Sequence, residues 1–181
     1  MENKRGDTKN HPVWSIYDSL RDARYETKYY TAKLERTRRK ARDLEILLAI
    51  VVPSSAASGL SIWASVYGQV VWGVLVSAAS ILAIAKPFLG FSEAIQSYAS
   101  TAERWRAIDS QLSRLRTDIA SEQTYGDSMR ARYSEIGHSI DVAINSAPIE
   151  DPDEKLRISV QSAVNKEIPV VSLFIPEEQA S

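Results

Sequence analysis

Residues 46–85 read ILLAIVVPSSAASGLSIWASVYGQVVWGVLVSAASILAIA, 40 consecutive positions without Asp, Glu, Lys, Arg or His. A bilayer core needs about 20 helical residues per crossing, so the run is too long for one span and suits two. The break falls at Ser65-Val66-Tyr67-Gly68-Gln69, where a glycine and an amide interrupt the apolar pattern. The spacing therefore predicts spans over 46–66 and 70–89, the second reaching full length only if Lys86 snorkels to the interface. Trp63, Tyr67 and Trp72 gather at the turn, as amphipathic rings do at a membrane rim. The competing reading is a hairpin buried in a helical bundle, which the mostly charged remainder of the chain would have to wrap completely.

The whole-chain averages conceal this segregation, since 25% charged residues and a mean hydropathy of −0.23 suggest an ordinary soluble domain. Residues 1–43 carry 12 Lys+Arg against 7 Asp+Glu, whereas 147–181 carry 3 against 7. Lys33, Arg36, Arg38, Arg39, Lys40 and Arg42 abut the first expected span while the turn is uncharged, which predicts both termini on the cytosolic side of an inner membrane. Nucleic-acid or anionic-lipid binding are the other readings of that basic run; its position makes topology the first, and no nucleic-acid partner is expected. The opening MENKRGDTKNHPVW lacks the apolar core of a cleavable signal peptide, so insertion would use the internal run.

Upstream, Val13, Ile16, Leu20, Ala23, Thr27, Tyr30, Leu34, Thr37, Ala41 and Leu44 alternate spacings of three and four, a heptad seam on one long helix starting near Pro12. Downstream, Ile95, Tyr98, Ala102, Trp105, Ile108, Leu112, Leu115 and Ile119 form a second stripe. Met129, Tyr133, Ile136, Ile140 and Ile144 form a third after a weak point at Gly126. At 147–153 the chain turns to proline and acid, with a helix start near Asp151, a short helix over KLRISVQSAVNK and an extended reading for IPVVSLFIP. The expected architecture is an all-α membrane protein: a two-span hairpin (46–89), cytosolic helices at 1–45 and 90–146 packed as an antiparallel coiled pair, and a short irregular acidic C-terminal segment (147–181).

Catalytic chemistry is not legible. There is no cysteine, His11 and His138 stand alone, and no phosphate-cradling or nucleophile-elbow motif occurs, so no enzyme activity, metal or cofactor is expected. Glu103, Asp109, Asp118 and Glu122 among Arg104, Arg106, Arg114 and Arg116 read as a solvated helix face. The informative polar residues lie in the uncharged run. Ser54, Ser58, Ser61 and Ser65 fall on one helical face, and Gln69, Gly73, Ser77 and Ser80 follow a similar rule. Such stripes either pack helices closely or line a pore. Pro53 and Pro87 are the candidate hinges, and Lys86 joins the basic residues as an interface anchor.

The segments ARYETKYYTAKLERTRRKARDLEILLAIVVPSSAASGLSIW (23–63) and AKPFLGFSEAIQSYASTAERWRAIDSQLSRLRTDI (85–119) resemble the SLATT family of two-span effector modules in bacterial conflict systems. The resemblance implies a membrane effector of antiphage defence, oligomerising to form a pore or disrupt the bilayer when a signalling or sensor partner, often through a nucleotide, triggers it. Its partners would be the lipid bilayer, further copies of itself and that sensor. A membrane-anchored coiled-coil scaffold recruiting a soluble partner is the alternative.

Overall fold

The computed structural model describes residues 11–54, 70, 73–74, 77–78, 80–81, 84, 90–169 and 174–176. Among them the regular structure is entirely helical: α1 (Val13–Ser54), α2 (Phe91–Glu122), α3 (Asp127–Asn145) and α4 (Glu154–Glu167). The described residues within 70–84 are helical as well.

The helical part of the expectation stands and its membrane part is overturned, because no helix among the described residues is long and apolar enough to cross a membrane. α1 carries charge as far as Glu45, and the residues that follow it to Ser54 fall well short of the roughly 20 a bilayer core requires. α2 meets Glu93 in its first turn. The two-span hairpin and the multi-pass inner-membrane placement are both corrected on that ground. The expected spans themselves lie largely outside the described residues, as does most of the extended reading of IPVVSLFIP.

Two compact units divide the chain, one formed by Met1–Ala32 with Ser97–Ser181 and the other by Lys33–Gln96. In the first unit, α1 opens where Pro12 removes a donor that needs no partner, and His11 Nδ1 accepts from the Val13 N–H at 3.2 Å. Val13, Ile16, Leu20, Ala23 and Tyr30 of the predicted seam are buried. So are Ala102, Trp105, Ile108, Leu112, Leu115 and Ile119 of α2. The two helices run antiparallel here: Tyr30 meets Tyr98, and six residues earlier Arg24 reaches Asp109 at 2.9 Å.

The segment after α2 breaks at Gln123, whose φ of 53° lies in the left-handed region that ends many helices. The chain then restarts at α3 with Gly126 as its N-cap. α3 buries Met129, Ile136 and Ala143, and its Tyr133 hydroxyl donates to the Ser15 carbonyl at 3.0 Å. α4 starts two residues later than expected: the Asp153 carboxylate, rather than Asp151, accepts from Leu156 N at 3.0 Å. Leu156, Val160 and Val164 then fall on its buried face. The first unit is thus a four-helix bundle with one continuous core.

In the second unit, α1 continues through Leu34, which is buried, to half-buried Thr37, Ala41 and Leu44. Gly90, at φ 61°, precedes α2, and its carbonyl accepts from Ala94 N at 2.9 Å.

Candidate functional site: a cleft in the bundle

The first unit holds a cleft of about 880 Å³ between α1, α3 and α4, with Trp105 of α2 contributing to its wall. That volume is in the range of small-ligand sites. Ile140 and Ile144 of α3 and Ile158 of α4 supply an apolar side. Ile144 and Ile158 are 56% and 65% exposed, an unusual state for large aliphatic side chains placed together.

The opposite side comes from α1. Asp22 and Glu26 are one helical turn apart and both line the cleft. Burial pushes the Glu26 carboxyl above its ordinary range, the neighbouring Asp22 adds to this, and Arg157 opposes it. Burial likewise raises Asp22, helped by Asp18 and opposed by Arg21. α4 adds Glu154, Arg157 and Lys166. Arg157 is already engaged, its Nε donating to the Tyr25 hydroxyl at 3.3 Å and its Nη1 lying 3.5 Å from Glu154. The Trp105 indole N–H is buried and finds no acceptor among the described residues.

A tyrosine cluster adjoins the cleft through Tyr25, which lines it. Tyr25 and Tyr29 stack at 6.0 Å, and Tyr29 meets Tyr30 edge-on at 5.4 Å. The Tyr29 hydroxyl accepts from Asp153 N at 3.2 Å, and the Tyr98 hydroxyl donates to Glu150, so the ring cluster clamps the proline-acid segment and fixes where α4 begins. Burial and the nearby Glu26 push Tyr30 up to about 12, and burial with the Glu150 bond does the same to Tyr98. Both stay neutral donors at any physiological pH.

The raised Glu26 has a definite consequence for pH. A carboxyl whose folded value exceeds its unfolded one costs nothing below the unfolded value and its full penalty above the folded one. Glu26→Gln should therefore leave the melting temperature unchanged in acid. As pH rises through and above the carboxylate range, the variant should become the more stable protein, by about 0.5 kcal/mol from the relieved like-charge pair alone. Melting curves across that range check it.

None of the residues singled out in the uncharged run lines this cleft. Pro53 sits one residue inside the end of α1 and Ser54 is its last residue. Gly73, Ser77 and Ser80 are helical and exposed, while Ser58, Ser61, Ser65, Gln69, Lys86 and Pro87 lie outside the described residues. Of the basic run, Lys33 is half-buried and Arg36, Arg38, Arg39, Lys40 and Arg42 are exposed. Arg38 and Arg42 border a separate cleft of about 530 Å³ near Gly90 and Phe91, within the second unit.

The second unit also exposes apolar side chains in number. Val70, Val74, Ile81 and Ile84 are 63–71% exposed, and Ile46 and Leu47 about half. Among the described residues no group of three His, Cys, Asp or Glu is placed to hold a metal. No family model, curated protein or solved structure matches the chain.

Proposed function

We propose that the chain is a non-enzymatic, self-associating effector of a bacterial defence system, in which the four-helix bundle receives the trigger and the uncharged run joins copies. The observation that carries this reading is the exposure of Val70, Val74, Ile81 and Ile84, set in a run without a single charge. Large aliphatic side chains so exposed gain roughly 25 cal/mol for each Å² withdrawn from water. A second copy of the same uncharged surface is self-complementary, as isologous association requires. The resemblance of 23–63 and 85–119 to SLATT modules supports the defence setting, and the cleft in the bundle supports its role as the receiving end. The pore-forming output implied by that resemblance depended on two membrane spans and is not part of the proposal.

A coiled-helix scaffold that recruits a soluble partner is the second reading, favoured by Ile144, Ile149 and Ile158, all exposed on the bundle. The test is phage challenge of cells expressing the chain beside its native neighbouring genes. Phage yield should fall with the parent and recover with the double variant Val74→Lys, Ile81→Lys, in which charge faces charge across the joined surface. Unchanged yield with the parent, or protection that survives both substitutions, overturns the proposal.

A further inference from the structure

We infer that Phe174-Ile175-Pro176 is an internal ligand, and that its seat on α1 at Tyr17 is a binding site for a partner segment of the same chemistry, two apolar residues followed by proline. This rests on the bundle being the receiving end of the protein and names what it receives.

The seat is built around one donor. Tyr17 has no exposed surface, and its hydroxyl donates to the Phe174 carbonyl, 157 positions further along the chain. Burial raises the Tyr17 hydroxyl above its ordinary value, opposed by Arg116, so it stays a donor. Trp14 packs edge-on against the same ring, with 6.1 Å between centroids. Pro176 is buried, and a proline brings no N–H for burial to orphan. It also disfavours the α region for Ile175, which keeps the segment out of a helix and leaves the Phe174 carbonyl to a side-chain donor. The site therefore selects a backbone carbonyl for Tyr17 and a proline two residues beyond it.

Three observations make this strap exchangeable. No helix includes 174–176, and among the described residues Tyr17 is the only donor that reaches it. Phe174 is 37% exposed and Ile175 half-buried, so much of the segment's apolar surface stays in water. None of the three residues belongs to the hydrophobic core of the bundle, so the core survives their departure. A segment with few buried contacts and a solvated backbone opens at a small fraction of the free energy of global unfolding. The strap competes from within the chain, because a short tether holds it at an effective concentration of about millimolar. An incoming segment displaces it by binding more tightly or by arriving already held nearby.

Acetyl-Leu-Phe-Ile-Pro-Glu amide, the sequence of 173–177, tests this on the full-length purified protein, with the same peptide carrying alanine for proline as its control. The parent is compared with Pro176→Asp, which places a charge where the strap is buried, and with Ile175→Asp, a milder change at a half-buried position. Affinity is read by calorimetry, and occupancy of the seat by the Trp14 indole N–H resonance, assigned through its loss in Trp14→Phe. Both opened chains should keep the helical content of the parent, shift the Trp14 resonance, and bind the peptide at least tenfold more tightly than the parent does. The bound peptide should return the resonance to its parent position. The alanine peptide should bind about tenfold more weakly. So should the proline peptide to Tyr17→Phe, Pro176→Asp, in which the ring is kept and the donor is gone.

Equal affinity in the parent and the opened chains, or no binding by opened chains that keep their helices, overturns the inference. So does equal binding of the alanine peptide, which would make the seat a general apolar surface. Return of the Trp14 resonance on adding parent protein alone would make the occupant the tail of a second copy and overturn the partner reading. Absence of peptide binding in a protein that still self-associates and still protects cells removes the strap exchange and leaves the proposed function standing. Peptide binding by a chain that neither self-associates nor protects does the reverse.

Discussion

Leu112→Ala should lower the stability of the bundle by about 3 kcal/mol, the middle of the range for truncating a fully buried leucine. Leu112 has no exposed surface and lies at the centre of the α2 stripe, flanked by Ile108 and Leu115 on the same face. Removing its branched end loses the transfer free energy of the deleted carbons and leaves a void that helices pinned by ion pairs on either side close only in part. For a chain of this length each kcal/mol moves the melting temperature by about 2–4 °C. Val142→Ala, on the exposed face of α3, is the matched control and should change stability by less than about 0.5 kcal/mol. Thermal unfolding followed by circular dichroism distinguishes the two. Similar shifts from both would mean that α2 is not packed as described.

Asp109→Ala should cost about 2 kcal/mol through a different route. Arg24 Nε lies 2.9 Å from Asp109, whose side chain is only 13% exposed, and Arg24 also pairs with Glu167 of α4. One guanidinium therefore ties α1 to α2 and α4 at once. Lys28 joins the same carboxylate at 2.8 Å, and its hydrogen bond, with the charge of Arg24, holds Glu167 below the usual carboxylate range. That lowered value makes the Glu167 contribution complete above the unfolded pKa and lost as pH falls through the folded one. Deleting Asp109 leaves Arg24 partly buried without its least exposed partner, so the loss exceeds that of an exposed pair. Glu35→Ala, which breaks a 3.7 Å pair with Arg39 on an open surface, should cost less than about 0.5 kcal/mol. The double variant Arg24→Met, Asp109→Ala should lose less than the two single losses added, because both members of the pair are then gone. Denaturant titration of the four proteins measures the coupling.

How much of this was readable beforehand depends on which force decides each residue. The stripes on α1, α2 and α3 were legible because burial imposes a three-and-four spacing on any helix with one wet face. Tyr17 and Tyr29 were missed since α1 packs against more than one helix and buries a stripe wider than a two-stranded seam. In the sequence Asp109 reads as solvated because its partner lies 85 positions away and no local pattern announces it. The cleft was invisible for the same reason: Asp22 and Glu26 look like surface acids until α4 is laid beside them. Its start at Asp153 was misplaced by two residues because several acids compete to cap the same turn, and the tyrosine clamp decides among them. The uncharged run misled most. Length and absence of charge are properties shared by membrane spans and by surfaces that copies of a protein bury against each other, and hydropathy does not separate the two.

Sedimentation equilibrium of the purified chain in aqueous buffer reads self-association without any partner present. The parent should sediment as a whole multiple of the 20.2 kDa monomer, and Val74→Lys, Ile81→Lys should return to 20.2 kDa with the helical content of the bundle unchanged. A parent that sediments at 20.2 kDa across the micromolar range, with Val70, Val74, Ile81 and Ile84 still open to water, would contradict self-association.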